Sequence, residues 1–281
     1  MPARTLLLTT AAMLAFAGNS LLCRLALNTT EIDPATFTSL RLASGAVMLT
    51  LLLRMCRRPA AMAGSWRGAT ALFVYAAAFS FAYVSLDAGV GALLLFGAVQ
   101  ISMVLWGWRQ GERPGPVSLA GLLLAFAGLL ALLLPGASAP PLPGSLMMLI
   151  AGIAWGAYSL LGRSASDALA ATTGNFVRSL PLTALLSLAL LHATNWDLSG
   201  VLYALASGAL ASGLGYAIWY MAIIDLKAIQ AATVQLSVPI ITALAGGLLL
   251  GEALSLRLGL SSLAVLGGIA LVLAARQRAT A

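Results

Sequence analysis

Ser20-Leu21-Leu22-Cys23-Arg24, at the end of the first apolar run, returns in the second half of the chain as Ser159-Leu160-Leu161-Gly162-Arg163. The offset is 139 residues, Arg24 to Arg163, and three further matches keep nearly the same spacing. Arg41 pairs with Arg178 at 137, Gly111-Glu112 with Gly251-Glu252 at 140, and Gly128 with Gly268 at 140. Apolar helices resemble one another by composition, so no single match decides anything. Four in order at a near-constant offset mark an internal duplication. Between the copies lies Pro135-Gly136-Ala137-Ser138-Ala139-Pro140-Pro141-Leu142-Pro143-Gly144, uncharged and rich in Pro and Gly, which reads as a linker. The expected units are therefore residues 1–138 and 139–281.

The 281 residues are 61% hydrophobic and 8% charged, with a mean hydropathy of +0.99. A soluble domain carries roughly 25% charged residues, so this chain cannot cover a water-facing surface and its apolar side chains must face lipid. Ten apolar stretches are long enough to cross a bilayer: Leu6–Leu27, Phe37–Leu53, Ala69–Leu86, Ala88–Trp106, Val117–Leu134, Gly144–Leu161, Asn175–Leu191, Leu198–Met221, Ala228–Leu250 and Leu258–Ala275. Continuous apolar runs predict helices; barrel strands would alternate apolar and polar residues. Five spans per copy is an odd number, so the second copy must enter the membrane from the opposite side. The expected fold is an all-α integral membrane protein of ten transmembrane helices, built as two inverted five-helix repeats. Many transporters alternate access through that architecture, with substrate bound at the midplane between repeats.

Orientation follows from the basic residues. Arg4, Arg54, Arg57, Arg58, Arg67, Arg109, Arg113, Arg163, Lys227, Arg276 and Arg278 fall on one face, against Arg24 and Arg257 on the other. The positive-inside rule then makes both termini cytoplasmic. It also explains the net charge of +7 and the pI near 10.1 without nucleic acid, since the cations are spread thinly among apolar runs. Met1–Ala17 has the form of a secretory signal but is expected to be retained, because cleavage would destroy a stretch that matches the second half. Cys23 and Cys56 fall at opposite faces and are not expected to bond.

Ten spans, the five-plus-five inverted repeat, and Gly-Glu closing spans 4 and 9 resemble the drug/metabolite transporter superfamily in its EamA-type branch. The resemblance covers essentially the whole chain, and within the branch it is nearest to the YddG-type amino acid exporters. It implies a multi-pass protein of the cell inner membrane that exports amino acids, aromatic ones among them. The superfamily also includes sugar-phosphate, nucleotide-sugar and drug carriers.

No Asp or Glu lies in mid-span, so a buried carboxylate proton relay is not expected. Arg24, Arg41, Arg163 and Arg178 stand near span ends, where they either snorkel to headgroups or form gates. In the gate reading Arg24 and Arg41 meet Glu252 on one face, and Arg163 and Arg178 meet Glu112 on the other. Aromatics recur at helical spacing: Tyr75, Phe79 and Tyr83 in span 3, Trp155 and Tyr158 in span 6, and Tyr216, Trp219 and Tyr220 in span 8. They belong either to lipid-facing packing and an interfacial belt or to a cavity that takes apolar and aromatic side chains. Asn19, Gln100 and Gln235 are polar candidates for the same cavity, with interhelical hydrogen bonding as the other reading. Pro181 and Pro239 each remove a backbone hydrogen bond and mark hinges. Gly152–Gly156 and Gly247–Gly251 have the spacing of close helix packing.

The substrate-site expectation is thus Asn19, Tyr75, Phe79, Tyr83, Gln100, Trp155, Tyr158, Trp219 and Gln235, with a small molecule and membrane lipid as partners. No cofactor or metal is expected, nor catalysis: His192, the one histidine, has no partner spaced for metal or triad chemistry. A channel would need rings of like residues. Charged cargo would want a cation in mid-membrane, so zwitterionic or neutral cargo fits better.

Overall fold

The structure, a computed structural model, describes residues 3–56, 63–111, 115–136, 138–162, 165–226 and 228–280. Among these, regular structure is helical throughout. The rods are α1 Ala3–Thr29, α2 Pro34–Met55, α3 Trp66–Tyr83, α4 Ala88–Arg109, α5 Pro116–Leu133, α6 Leu142–Gly162 and α7 Ala168–Ala189. α8 joins Leu198–Ala206, a π-helical Ser207–Leu214 and Gly215–Ile223; α9 joins Ala228–Gln235 and Ser237–Leu250; α10 is Leu256–Thr280. Ten rods answer the ten expected spans, and an even number leaves both termini on one face, called here the near face.

Eight rods are long and apolar enough to cross a membrane unaided, and α3 and α7 are the two that are not. Both carry polar residues in the bundle interior, Ser80 in α3 and Thr172, Thr173 and Asn175 in α7. This moves one boundary: α7 begins at Ala168, not at Asn175 as apolarity suggested. Its first two turns are polar because they face the interior, and the Asp167 carboxylate starts them by accepting from the Ala170 N–H at 3.1 Å. Asp33 caps α2 and Asp197 caps α8 in the same way. Leu123, Phe126, Leu248 and Leu263 are exposed on the outside of the bundle, where lipid covers them.

Equivalent helices of the two halves pack in antiparallel pairs. Gly121 of α5 abuts Gly268 and Leu271 of α10, whereas Gly128, further along α5, abuts Ala264 and Val265. Ser39 of α2 hydrogen-bonds Ser187 near the end of α7 at 2.8 Å, whereas Gly45, further along α2, abuts Phe176. Most of the other contacts between the halves come in exchanged pairs: α3 on α6 and α1 on α8, α4 on α6 and α1 on α9, α2 on α8 and α3 on α7; α4 on α10 is the exception. A two-fold relation between the halves generates those exchanged pairs. The second half is therefore inverted.

At the α5–α10 crossing a β-carbon on Gly268 would overlap the Gly121 carbonyl and the Ala125 backbone. Overfilling such a contact costs ~1–3 kcal/mol. Gly268→Val is expected to lower the thermal unfolding midpoint of the purified protein, while Gly267→Val, which meets open space, leaves it nearly unchanged.

Candidate transport site

The interior opens toward the near face as a cavity of about 520 Å³. Its mouth is formed by Gly162, Ala165, Ala168 and Leu226, at the near-face ends of α6 to α9. Deeper in, the walls become aromatic, with Tyr158, Trp219 and Tyr220 below Trp155, Tyr216 and Phe16. The last three also line a second space of about 20 Å³, together with Asn19, Ser20, Tyr75 and Phe79. A ring layer separates the two: Trp155 lies 5.3 Å from Tyr216 and 4.8 Å from Tyr75, and Phe16 meets Tyr216 edge-on at 5.8 Å. Polar groups punctuate this wall. Gln100, Gln235 and Asn175 line the larger cavity. Thr172 joins Tyr158 at 3.3 Å and Tyr220 at 2.8 Å. Asn19 accepts from Ser207 at 2.7 Å and donates to the Tyr75 hydroxyl at 3.4 Å.

The opposite face is shut. There Arg24, at the far end of α1, donates through Nε to Glu252 at 3.0 Å and through Nη2 to Asp87 at 3.2 Å. Its Nη1 donates to the carbonyls of Tyr83 and Val84 at 3.2 and 3.4 Å. Glu252 also accepts from the Ala88 N–H at 2.8 Å. One guanidinium thus ties α1, the α3–α4 turn and the end of α9 together. Gly251 sets this up: its φ of 68° ends α9 in the left-handed conformation and turns the following glutamate inward. Gly111, its repeat counterpart, also has a positive φ, at 92°. At Gly251-Glu252 the pair is thus a helix stop that delivers a carboxylate.

Burial pushes the Glu252 carboxyl above its ordinary value, outweighing the pull of Arg24 and the Ala88 N–H toward ionisation. The closed face therefore binds this proton more tightly than an open one in which Glu252 is hydrated. By linkage, acidification from neutrality toward the ordinary carboxylate range favours closure. Labelling of a far-face cysteine by an impermeant maleimide, corrected for the reagent's own pH dependence, should slow as pH falls through that window.

Arg41 departs from the gate expectation. It does not reach Glu252, and it does not snorkel: it is 1% exposed, in the interior between α2 and α3. Its Nη2 donates to the Tyr75 hydroxyl at 3.0 Å, and its guanidinium carbon lies 5.2 Å from the Tyr75 ring centre and 4.8 Å from that of Phe79. α2 starts at Pro34 and turns this face inward, so nearness to a span end in sequence did not mean nearness to headgroups.

The profile of the EamA-like transporter family matches residues 142–274. An uncharacterised protein of Pseudomonas aeruginosa is 65% identical over 274 residues, covering 97% of this chain and 96% of its own. The second half of the chain is thus similar to the EamA-like transporter family. An uncharacterised transporter of Archaeoglobus fulgidus is 28% identical over 175 residues, 58% of either chain. A crystal structure matches the fold with a TM-score of 0.67 at 19% identity, covering 98% of this chain and all of the other.

The cavity walls contain Asn19, Tyr75, Phe79, Gln100, Trp155, Tyr158, Trp219 and Gln235. Tyr83 is not among them. It packs edge-on against Phe79 at 4.7 Å, and its hydroxyl donates to the Ala88 carbonyl at 3.2 Å, behind the cavity wall. Of the gate candidates, Arg24 meets Glu252, whereas Arg178 donates to the Ala63 carbonyl at 2.6 Å and braces the segment before α3. Glu112 and Arg163 lie outside the described residues. α9 breaks at Leu236, where Pro239 leaves the Gln235 carbonyl without its helical donor. Pro181 lies inside a continuous α7. Gly152 and Gly156 pack α6 onto α4, but Gly251 is a helix stop and not a packing contact.

Phe16, Tyr216, Thr172 and Asn175 line the cavity without having been picked for it. Tyr216 shares a helix face with Trp219 and Tyr220, and Phe16 precedes Asn19 by three residues, so face-sharing was a usable signal. Thr172 lay in the polar start of α7, which apolarity alone passed over.

Proposed function

We propose that this transporter exports amino acids, aromatic and other neutral ones, by alternating access between two moving repeats, residues 1–138 and 139–281. The observation that carries the reading is the 520 Å³ aromatic-walled cavity, open at one face and ended by a ring layer under a sealed opposite face. Flat rings suit apolar and aromatic side chains, while Gln100, Gln235, Asn19 and the tyrosine hydroxyls offer donors and acceptors for an ammonium and a carboxylate. Arg24 and Glu252 act as the far-face gate, and the break at Leu236–Pro239 and Pro181 serve as hinges. The near face, carrying the basic residues, is cytoplasmic in an inner membrane, so the conformation described is loaded from inside, as export requires.

Counterflow in proteoliposomes with tryptophan, threonine, methionine, a UDP-sugar and triose phosphate tests this directly. Exchange of the amino acids is expected. Exchange of the UDP-sugar or triose phosphate, with no amino acid taken, would reject it. Trp155 closes the path toward the deeper space, so Trp155→Ala is expected to weaken tryptophan exchange about tenfold, the loss of ring contact plus area being ~1.4 kcal/mol. Threonine exchange should change far less; equal loss for both would remove the ring layer from the binding role.

A further inference from the structure

We propose that Arg41 is the carboxylate-binding group of the transport site, reached when the ring layer of Tyr75, Trp155 and Tyr216 parts. The inference rests on the amino acid reading above and names the charge that reading requires.

Arg41 is the most deeply buried charge among the described residues, and its charge has no counter-ion there. Nε and Nη1 have no hydrogen-bond partner at all, and Nη2 has only the Tyr75 hydroxyl. The nearby acids are engaged elsewhere: Asp87 and Glu252 with Arg24, Asp33 at the start of α2. A buried cation without an anion costs several kcal/mol, and two ring faces recover only part of that. Such a residue inside a membrane bundle is not there to stabilise it. What is missing is an anion whose oxygens can accept from the unpartnered Nε and Nη1 donors, and a carboxylate supplies such acceptors together with the balancing charge. One guanidinium balances one negative charge, which suits a carboxylate better than a phosphomonoester dianion.

The position fits a transit site. Tyr75 is shared: its hydroxyl accepts from Arg41 on one side and from Asn19 on the other, and Asn19 lines the 20 Å³ space beyond the ring layer. That space holds about one water, and Arg41, which lines neither space, stands against the Tyr75 and Phe79 rings that wall it. Moving Trp155 and Tyr75 apart joins the two spaces and brings a carboxylate to the unpartnered donors of Arg41. The bulky side chain then stays among Tyr158, Tyr216 and Trp219. Arg178, the repeat counterpart, is bonded to the Ala63 carbonyl, so the two halves do not offer equivalent cations.

The test uses the full-length transporter in proteoliposomes, with counterflow of L-phenylalanine, L-phenylalaninamide, 2-phenylethylamine and phenyl phosphate. The first three share the ring and the amine and differ at the carboxylate. Wild type is expected to prefer phenylalanine over the amide and the amine by about a hundredfold, as befits a buried guanidinium–carboxylate pair. Arg41→Gln should reduce that preference to a few-fold, by loss of phenylalanine exchange and not by gain of the others. Arg41→Lys, which keeps the charge and loses the fork, should retain part of it. Equal wild-type exchange of acid and amide overturns the assignment while leaving the amino acid reading intact, as does full preference in Arg41→Gln. If Arg41→Gln does not fold, judged by size-exclusion profile, the wild-type preference together with Arg41→Lys decides. Exchange of phenyl phosphate with none of phenylalanine overturns both.

Discussion

Arg24→Ala is expected to unseal the far face and tilt the protein toward opening there. In the closed face one guanidinium neutralises Glu252 and Asp87 and satisfies two carbonyls of the α3–α4 turn. Removing it leaves the largely buried Glu252 carboxylate beside Asp87 with no cation between them, whereas an open far face would let both hydrate. Breaking a fully buried pair costs 3–5 kcal/mol; the exposure of Asp87, 47% of its side chain, brings the figure down to about 2 kcal/mol, or roughly thirtyfold in the open-to-closed ratio. Ser20 lines the space beyond the ring layer, toward the far face, so Ser20→Cys, in a background of Cys23→Ser and Cys56→Ser, reports the change. An impermeant maleimide applied from the far face should label it much faster when Arg24 is alanine, and exchange should slow. Arg24→Lys keeps the charge but cannot span both acids, and belongs in between. Unchanged labelling in Arg24→Ala would remove the gate.

The second large effect is structural. Gly208→Leu is expected to destabilise the fold by about 3 kcal/mol or more, at the upper end of overpacking effects. Gly208 sits in the π-helical stretch of α8, where a β-carbon would overlap the Arg41 carbonyl and the Ser44 hydroxyl of α2. A side chain can rotate away from a clash, but a helix carbonyl cannot, so α2 and α8 must separate. They carry the interior faces on which Arg41 and Ser212 stand, and the same change therefore disturbs the site. The midpoint of thermal unfolding in detergent should fall by roughly 10 °C, while Gly259→Ala on α10, where nothing stands within 4 Å, leaves it within a degree or two. A Gly208→Leu protein that unfolds with wild-type stability would show that this crossing is not a close contact.

Much of the architecture was readable in the residues because a bilayer leaves a chain few options. Lipid offers no hydrogen bonds, so apolar runs of this length must be helices, and an odd number of them per repeat forces inversion. The Gly-Glu repeat was visible too, though its meaning was not: that Gly111 and Gly251 both take a positive φ is a backbone fact. The aromatics picked at 75 and 79, at 155 and 158, and at 219 lie on the cavity wall, because a helix displays residues of one face together whatever surrounds it.

Periodicity says which residues share a helix face and is silent on what that face meets. Tyr83 continues the spacing of Tyr75 and Phe79, yet α4 covers it and it packs behind the wall. Arg41 and Arg24 stand at comparable distances from span ends, yet one is enclosed by Tyr75 and Phe79 and the other ties three elements at a surface. The π-helical stretch of α8 left no mark in apolarity. Sequence by itself determined the ten crossings, their inversion and the aromatic faces, all consequences of local pattern and solvent. Only tertiary packing decided which cation is paired with acids and which stands buried without one, because partners more than two hundred residues apart in the chain, such as Arg24 and Glu252, meet only when the helices assemble.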